Sequence, residues 1–212
     1  MKILIVGLGV QGKKRKKILN KRFYFASVDK NNKDADFSKI EDVPLNKYDS
    51  VFICTPDSAK IKILNFCLKN NKNALIEKPL ISKNKKKILK LEKEANKKKL
   101  VFYTAYNHRF EPHFINIKKI LESKILGKIY YCHLFYGNGT ARLVRKNKWR
   151  DKGLGVIQDL GPHLMDTILF WFKKQLKFKK VFINFSLVTS LPFIVSLTVR
   201  LIRSWWPAAS LP

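Results

Sequence analysis

Three glycines mark the first chemistry in this chain: Gly7, Gly9 and Gly12, spaced G-x-G-x-x-G directly behind the apolar run Ile3–Val6. At that spacing the first glycine permits a tight turn and the second lets backbone approach a pyrophosphate. The third lets a helix pack on a strand. A helix starting there, with Val10 and Gln11 in its first turn, offers free N–H groups and the positive end of its dipole to phosphate. About 20 residues on, Asp29 ends a second apolar run, at the distance expected of a carboxylate that accepts hydrogen bonds from an adenosine ribose. A carboxylate there repels a 2′-phosphate and so favours NAD over NADP, although Lys30 beside it acts the other way. The plainer alternatives are a structural glycine turn and an ordinary strand-end aspartate.

Three further groups carry reactive side chains. Lys78 follows an apolar run at what would be the carboxyl edge of a parallel sheet, where ligands of such sheets bind; its alternative is one surface lysine among many. Asp159, His163 and Asp166 lie in Asp-Leu-Gly-Pro-His-Leu-Met-Asp. The spacing puts His163 and Asp166 on one helix face and lets Asp159 reach back toward the imidazole, a plausible proton acceptor near neutral pH. The alternative is a helix start capped by Asp159 with an incidental histidine. Asn107, His108 and Arg109 form the third group, which could equally be a polar loop between domains.

The elements that position these residues read as follows. Strands are expected at 3–6, 23–29, 49–56, 74–76 and 100–105. A helix follows the glycines through Ile18 and Leu19. A second carries Ile61, Leu64 and Leu68, and a third, capped by Ser82, carries Ile88, Leu91 and Ala95. Strand–helix alternation of this kind predicts a parallel sheet covered on both faces. Past Tyr106 the rhythm changes to a helix over 114–121, a strand over 128–136, and a polar loop ending near Trp149-Arg150. Next comes a helix starting at Gly161-Pro162 and running through Leu164, Ile168, Leu169 and Phe172. Val181–Val188 reads as a strand, and Val195, Leu197, Val199 and Leu201 alternate with polar residues. That makes 181–202 a β-hairpin and not a membrane span.

Composition narrows the function classes. At 212 residues the chain has room for one large or two small domains. With 46% hydrophobic and 28% charged residues it should be globular. No secretory leader is expected, because glycines and lysines interrupt the first apolar run. Cys54, Cys67 and Cys132 are odd in number and show no C-x-x-C spacing, which argues for reduced thiols in the cytoplasm and against a disulfide frame or zinc site, and no metal centre is expected. The formal net charge is +29. Its lysine runs, at Lys13–Lys17, Lys83–Lys87 and Lys97–Lys99, are scattered and lack interleaved aromatics. Polyanion binding at low salt is therefore expected, but not specific nucleic-acid recognition.

Gly7-Leu-Gly-Val-Gln-Gly12, Cys54-Thr-Pro56, Glu77-Lys-Pro-Leu80, Asn107-His-Arg-Phe110 and Gly153-Leu-Gly-Val-Ile-Gln-Asp-Leu-Gly-Pro-His-Leu-Met-Asp166 occur in that order. Together they resemble the glucose-fructose oxidoreductase/inositol dehydrogenase (Gfo/Idh/MocA) family, over residues 1 to about 175. The resemblance implies an α/β enzyme with a Rossmann domain at 1–106, a doubly wound parallel sheet. It implies an α+β substrate and oligomerisation domain with an open antiparallel sheet at 107–212. The activity it implies is NAD(P)-dependent hydride transfer to or from a sugar, nucleotide sugar or cyclitol, in sugar or surface-polysaccharide metabolism. Carried over, Lys78 holds the substrate hydroxyl, His163 is the general base, and Asp159 orients it or touches substrate. Thr55, Pro56, Glu77 and Asn107 line the nicotinamide side, and the glycines with Val10 and Gln11 lie under the pyrophosphate. The same resemblance implies a proline after the lysine that is often cis.

Two departures stand out. Lys60 occupies a place where family members often carry histidine. Members are also distinctly longer, and the residues from 203 to 212 match nothing expected there, so a shortened or frameshifted product with an incomplete substrate sheet is expected. That would work against the family's homo-oligomerisation and expose apolar edges. The rival readings are an inactive dinucleotide-binding remnant and a basic nucleic-acid-binding protein.

Overall fold

The computed structural model describes residues 1–82, 84–129, 131–136, 156–172, 181–186 and 194–200. The loop expected at 137–148, Trp149-Arg150, the start of the glycine-rich motif at 153–155 and the tail at 203–212 lie outside these. The chain divides into two compact units, Met1–Ala105 and Tyr106–Pro212.

In the first unit, β1 (Ile3–Val6), β2 (Tyr24–Val28), β3 (Ser50–Ile53), β4 (Asn73–Ile76) and β5 (Phe102–Thr104) form one sheet in the order β2-β1-β3-β4-β5. All four pairings are parallel. Three helices connect them: α1 (Val10–Ile18), α2 (Asp57–Lys69) and α3 (Lys85–Lys97). The strands are mostly apolar, as expected where helices cover both faces of a sheet, and the buried Ser27 of β2 bonds through its hydroxyl to Asp36. Leu4, Ile5, Val51 and Ile53 are fully buried. Each such side chain contributes about 1.5–3 kcal/mol of transfer free energy.

The helices are anchored differently. α2 buries Ile63, Leu64, Cys67 and Leu68, a conventional apolar stripe. α1 has no such stripe: only Gly12 is buried, and Ile18, expected to help define the helix, is 78% exposed at its last turn. α3 buries Leu91 and Ala95, but its cap is not Ser82. Asn84 accepts the Lys86 N–H at 3.0 Å, while the Ser82 hydroxyl accepts from the Asn84 N–H at 3.2 Å. Two candidate caps lie within three residues, and the second sits directly before the helix.

The second unit starts with a 3-10 turn (Asn107–Phe110) and α4 (Pro112–Glu122). β6 (Tyr131–Tyr136), β7 (Val181–Ser186) and β8 (Ile194–Arg200) form an antiparallel sheet in the order β6-β8-β7. The expected hairpin is thus formed, with its second strand at the centre. α5 spans Val156–Phe172 and buries Leu160, Leu164, Ile168 and Phe172, one residue per turn along a single face. Leu121, Ile129, Cys132, Leu134 and Tyr136 pack against that face.

Pro162 does not begin this helix, as the sequence suggested; it lies inside it. The missing N–H leaves the Gln158 carbonyl without its usual partner, a tolerable loss close to a helix end. Asp159 is therefore in the first turn rather than before the helix, and His163 lies one turn further in.

Leu4→Ala should lower the unfolding free energy by about 2–5 kcal/mol. Ile18→Ala should change it by less than about 0.5 kcal/mol. Urea denaturation of both variants checks this division between core and surface.

Candidate functional site

One level of the parallel sheet collects the chemistry of the first unit. Just past each strand, Gly7, Cys54, Glu77 and Ala105 donate backbone N–H bonds to Val28, Val6, Ile53 and Ile76 of the neighbouring strand, at 2.7–2.9 Å. The chain winds one way from β1 to β2 and the other way from β3 onward. The β1/β3 boundary is thus the switch point at whose carboxyl edge such sheets open a crevice.

The glycine loop sits at that boundary. Gly7 has φ +97°, and a Cβ there would lie 2.7 Å from the Cys54 carbonyl oxygen. A Cβ on Gly12 would lie 1.8 Å from the Gly7 carbonyl oxygen, which no rearrangement short of moving the helix relieves. Gly9 differs: among the described residues nothing lies within 4 Å of its missing side chain. It precedes α1 without a side-chain cap, and the first turn of that helix holds no acidic residue. Its leading N–H groups and dipole therefore remain available to an anion. Val10 and Gln11 are exposed beside them.

Asp29 closes the loop from β2. One carboxylate oxygen accepts the Leu8 N–H at 2.7 Å; the other accepts those of Asn31 and Asn32 at 2.9 and 3.1 Å. Burial alone would raise its pKa, but these three bonds outweigh burial and hold the carboxyl below its usual range. Both oxygens keep lone pairs that a ribose hydroxyl could use.

Thr55 and Pro56 lead into α2, and the Thr55 hydroxyl oxygen is buried with no hydrogen-bond partner among the described residues. Burial, reinforced by Glu77 and opposed by Arg15 and Lys60, pushes the Cys54 thiol up to about 12, so it stays neutral and is no nucleophile. Glu77 accepts from Arg15 Nε at 2.9 Å and Nη2 at 2.6 Å. Arg15 was missed in the sequence, where it is the one arginine inside a lysine run and reads as solvated charge. Lys78 is half-buried, and its bond to Pro79 is cis. Lys60 is 2% exposed, with Nζ 2.7 Å from both Asp57 Oδ1 and the Pro79 carbonyl oxygen.

In the second unit, Glu111 gathers the residues of the 3-10 turn. Its Oε1 accepts from Asn107 Nδ2 at 2.7 Å and lies 2.8 Å from His108 Nδ1. His163 is buried, with the rings of His108, Tyr136 and Tyr106 at 5.0, 5.8 and 6.1 Å between centroids. Its backbone carbonyl accepts from the Thr167 hydroxyl at 2.8 Å. Asp159 lies one turn earlier on the same face of α5. Asp166, expected beside His163, instead forms a bidentate pair with Arg109, at 2.6–3.0 Å. Planar guanidinium matches carboxylate geometry, and a carboxylate this buried needs such a partner. Burial, with Asp166 adding and Arg109 opposing, raises the Tyr106 phenol.

The sequence-derived residues thus fall into two sets. Gly7, Gly9, Val10, Gln11, Gly12, Asp29, Thr55, Pro56, Glu77 and Lys78 lie around the sheet edge of the first unit, and Asn107, Asp159 and His163 belong to the second. Arg15 and Glu111 are additions that only packing reveals, and packing also supplies the partners of Lys60, Arg109 and Asp166.

Comparison with known proteins decides the family. Residues 1–106 match the NAD-binding Rossmann fold of the GFO/IDH/MocA oxidoreductases, and residues 114–190 match a GFO/IDH/MocA C-terminal domain. The chain belongs to the GFO/IDH/MocA family. An oxidoreductase of Schizosaccharomyces pombe is 30% identical over 129 residues, 58% of this chain and 33% of that protein. The scyllo-inositol 2-dehydrogenase (NADP(+)) of Bacillus subtilis is 25% identical over 125 residues, 58% of this chain and 34% of that one. Among solved structures, an oxidoreductase from Agrobacterium radiobacter in complex with NAD+, L-tartaric acid and magnesium matches with a TM-score of 0.71. It is 16% identical, over 88% of this chain and 58% of that one. A myo-inositol 2-dehydrogenase from Lactobacillus plantarum matches with a TM-score of 0.66 at 19% identity, over 80% of this chain and 56% of that one. At those identities the likeness is one of fold. The chain spans about a third of the length of these curated relatives.

A dinucleotide fits the residues present. Open space at Gly9, an uncapped helix start, Asp29 with spare acceptor capacity and the unpartnered Thr55 hydroxyl are the features its phosphates, ribose and ring would use.

Asp29 yields a pH test. Because its folded value lies below the ordinary 3.8, its contribution is complete above that value and is lost as pH falls through the folded one. Asp29→Asn should be less stable than wild type at neutral pH. The gap between their urea midpoints should narrow as pH falls below about 3.8, the ordinary carboxyl value, and go on narrowing as the folded carboxyl takes up its proton.

Proposed function

We propose that this chain binds NAD(P), with NAD preferred, and serves hydride transfer to or from a hydroxyl of a sugar, nucleotide sugar or cyclitol. The observation that carries the reading is the uncapped start of α1 beside Gly9, where a side chain is missing and no described residue fills its place. Asp29 supports the preference for NAD, since its carboxylate, held ionised by three N–H groups, repels a 2′-phosphate. Inositol dehydrogenases among the relatives and fold neighbours support a polyol substrate.

The bound nicotinamide supplies a carbon that accepts or returns hydride. The chain's own part is binding and proton control. Lys78, as an ammonium, donates a hydrogen bond to the substrate oxygen and favours its alkoxide form. His163 accepts the proton as general base, a role suited to an imidazole near neutral pH, and Asp159, one turn earlier on α5, orients it or touches substrate. Thr55 and Asn107 contact the nicotinamide side, Glu77 stays tied to Arg15, and the glycine-loop N–H groups hold the pyrophosphate.

Calorimetry should show NAD binding that Gly9→Val abolishes, because its side chain fills the space left for phosphate. NADH absorbance with a panel of sugars, nucleotide sugars and cyclitols should reveal turnover, reduced by about 10²–10⁴-fold in His163→Asn. Binding without turnover on any of them would leave the cofactor reading standing and end the enzymatic one.

A further inference from the structure

Lys78 stands between two residues that cations on different helices hold. On one side Arg15 of α1 grips the Glu77 carboxylate, and the Glu77 N–H is bonded to Ile53 of β3. On the other side Lys60 of α2 grips the Pro79 carbonyl. We infer that Lys60 is a positioning residue: by fixing Pro79 it sets the place of the Lys78 side chain. This deepens the proposed function and rests on its assignment of Lys78 to the substrate hydroxyl.

A lysine at 2% exposure is rare, because an unpaired buried ammonium is very costly. Here two acceptors at 2.7 Å satisfy it, Asp57 Oδ1 within the same helix and the Pro79 carbonyl outside it. Stability alone does not account for the arrangement. Buried ion pairs contribute little compared with an apolar replacement, and α2 already holds to the core through Ile63, Leu64, Cys67 and Leu68. What an apolar side chain could not do is bind a carbonyl in the turn between β4 and α3. Proline brings no N–H, so its carbonyl is the only backbone hydrogen-bonding group at residue 79 by which the turn can be held. In the sequence Lys60 stands out only as the residue at a place where family members often carry histidine; its bond to the Pro79 carbonyl comes from the packing.

The test is the acylation rate of Lys78 under limiting acetic anhydride, resolved by peptide mass spectrometry, in the full chain and in Lys60→Met. Methionine fills the cavity but cannot bind the carbonyl. Should that variant not fold, Asp57→Leu/Lys60→Met takes its place, leaving no unpaired charge. Lys78 should acylate at least about threefold faster as the turn opens locally. Lys72, held by the carbonyls of Leu45 and Tyr48, should keep its rate, and calorimetric NAD affinity should stay within about twofold. With a working substrate, kcat should fall about tenfold or more at unchanged KM for NAD. An unchanged Lys78 rate in a folded variant overturns the inference, and so does an equal rise at Lys72, which marks general loosening. If the wild-type chain turns nothing over, the enzymatic reading fails, while the labelling still decides the role of Lys60.

Discussion

Between the first and third strands the backbone leaves no room for a side chain. Gly7 backs onto the Cys54 carbonyl, and Gly12 backs onto Gly7 itself. Any Cβ at either place would push α1 off the sheet. Because the helix lies that close, its first N–H groups open at the sheet's carboxyl edge, and its second turn brings Arg15 to Glu77, just past β4. The same closeness lets Asp29 reach the Leu8 N–H from β2. The helix has no apolar face to replace these contacts, so this backbone packing is what its position rests on.

Most of this was legible because local and global signals agree. The glycine spacing, the short apolar runs and the helical periods of α2 and α3 each have one cheap solution, and the parallel sheet satisfies all of them. The failures have physical reasons. Ser82 and Asn84 can both cap a helix, and only the chain path decides between them. Gly161-Pro162 has the composition of a helix start, yet α5 runs through it because its buried face already includes Leu160. Asp166 shares a helix face with His163, and its buried carboxylate takes the half-exposed guanidinium fork of Arg109 as a bidentate partner.

The lysines held the least readable information. Apart from Lys78 and Lys60 they read in the sequence as a uniform basic background, and among the described residues most are exposed. A few reach backbone oxygen: the buried Lys60 holds the Pro79 carbonyl, the half-buried Lys72 those of Leu45 and Tyr48, and Lys98, itself exposed, that of Leu68 near the end of α2. Each places a cation against backbone oxygen, favourably so at a helix C-terminus, where carbonyls lack partners and carry partial negative charge. Composition cannot separate these lysines from the solvated ones, since they differ only in what they reach.

The central claim is that the sheet edge around β1 and β3 receives the dinucleotide. Amide hydrogen exchange with and without saturating NAD tests it most directly. The account predicts added protection confined to the segments around Gly7–Gly12, Asp29, Cys54–Pro56 and Glu77–Lys78 of the first unit, where the glycine loop, ribose acceptor and strand ends lie. Protection spread instead over the lysine-rich face of α3, with the glycine loop unchanged, would contradict it.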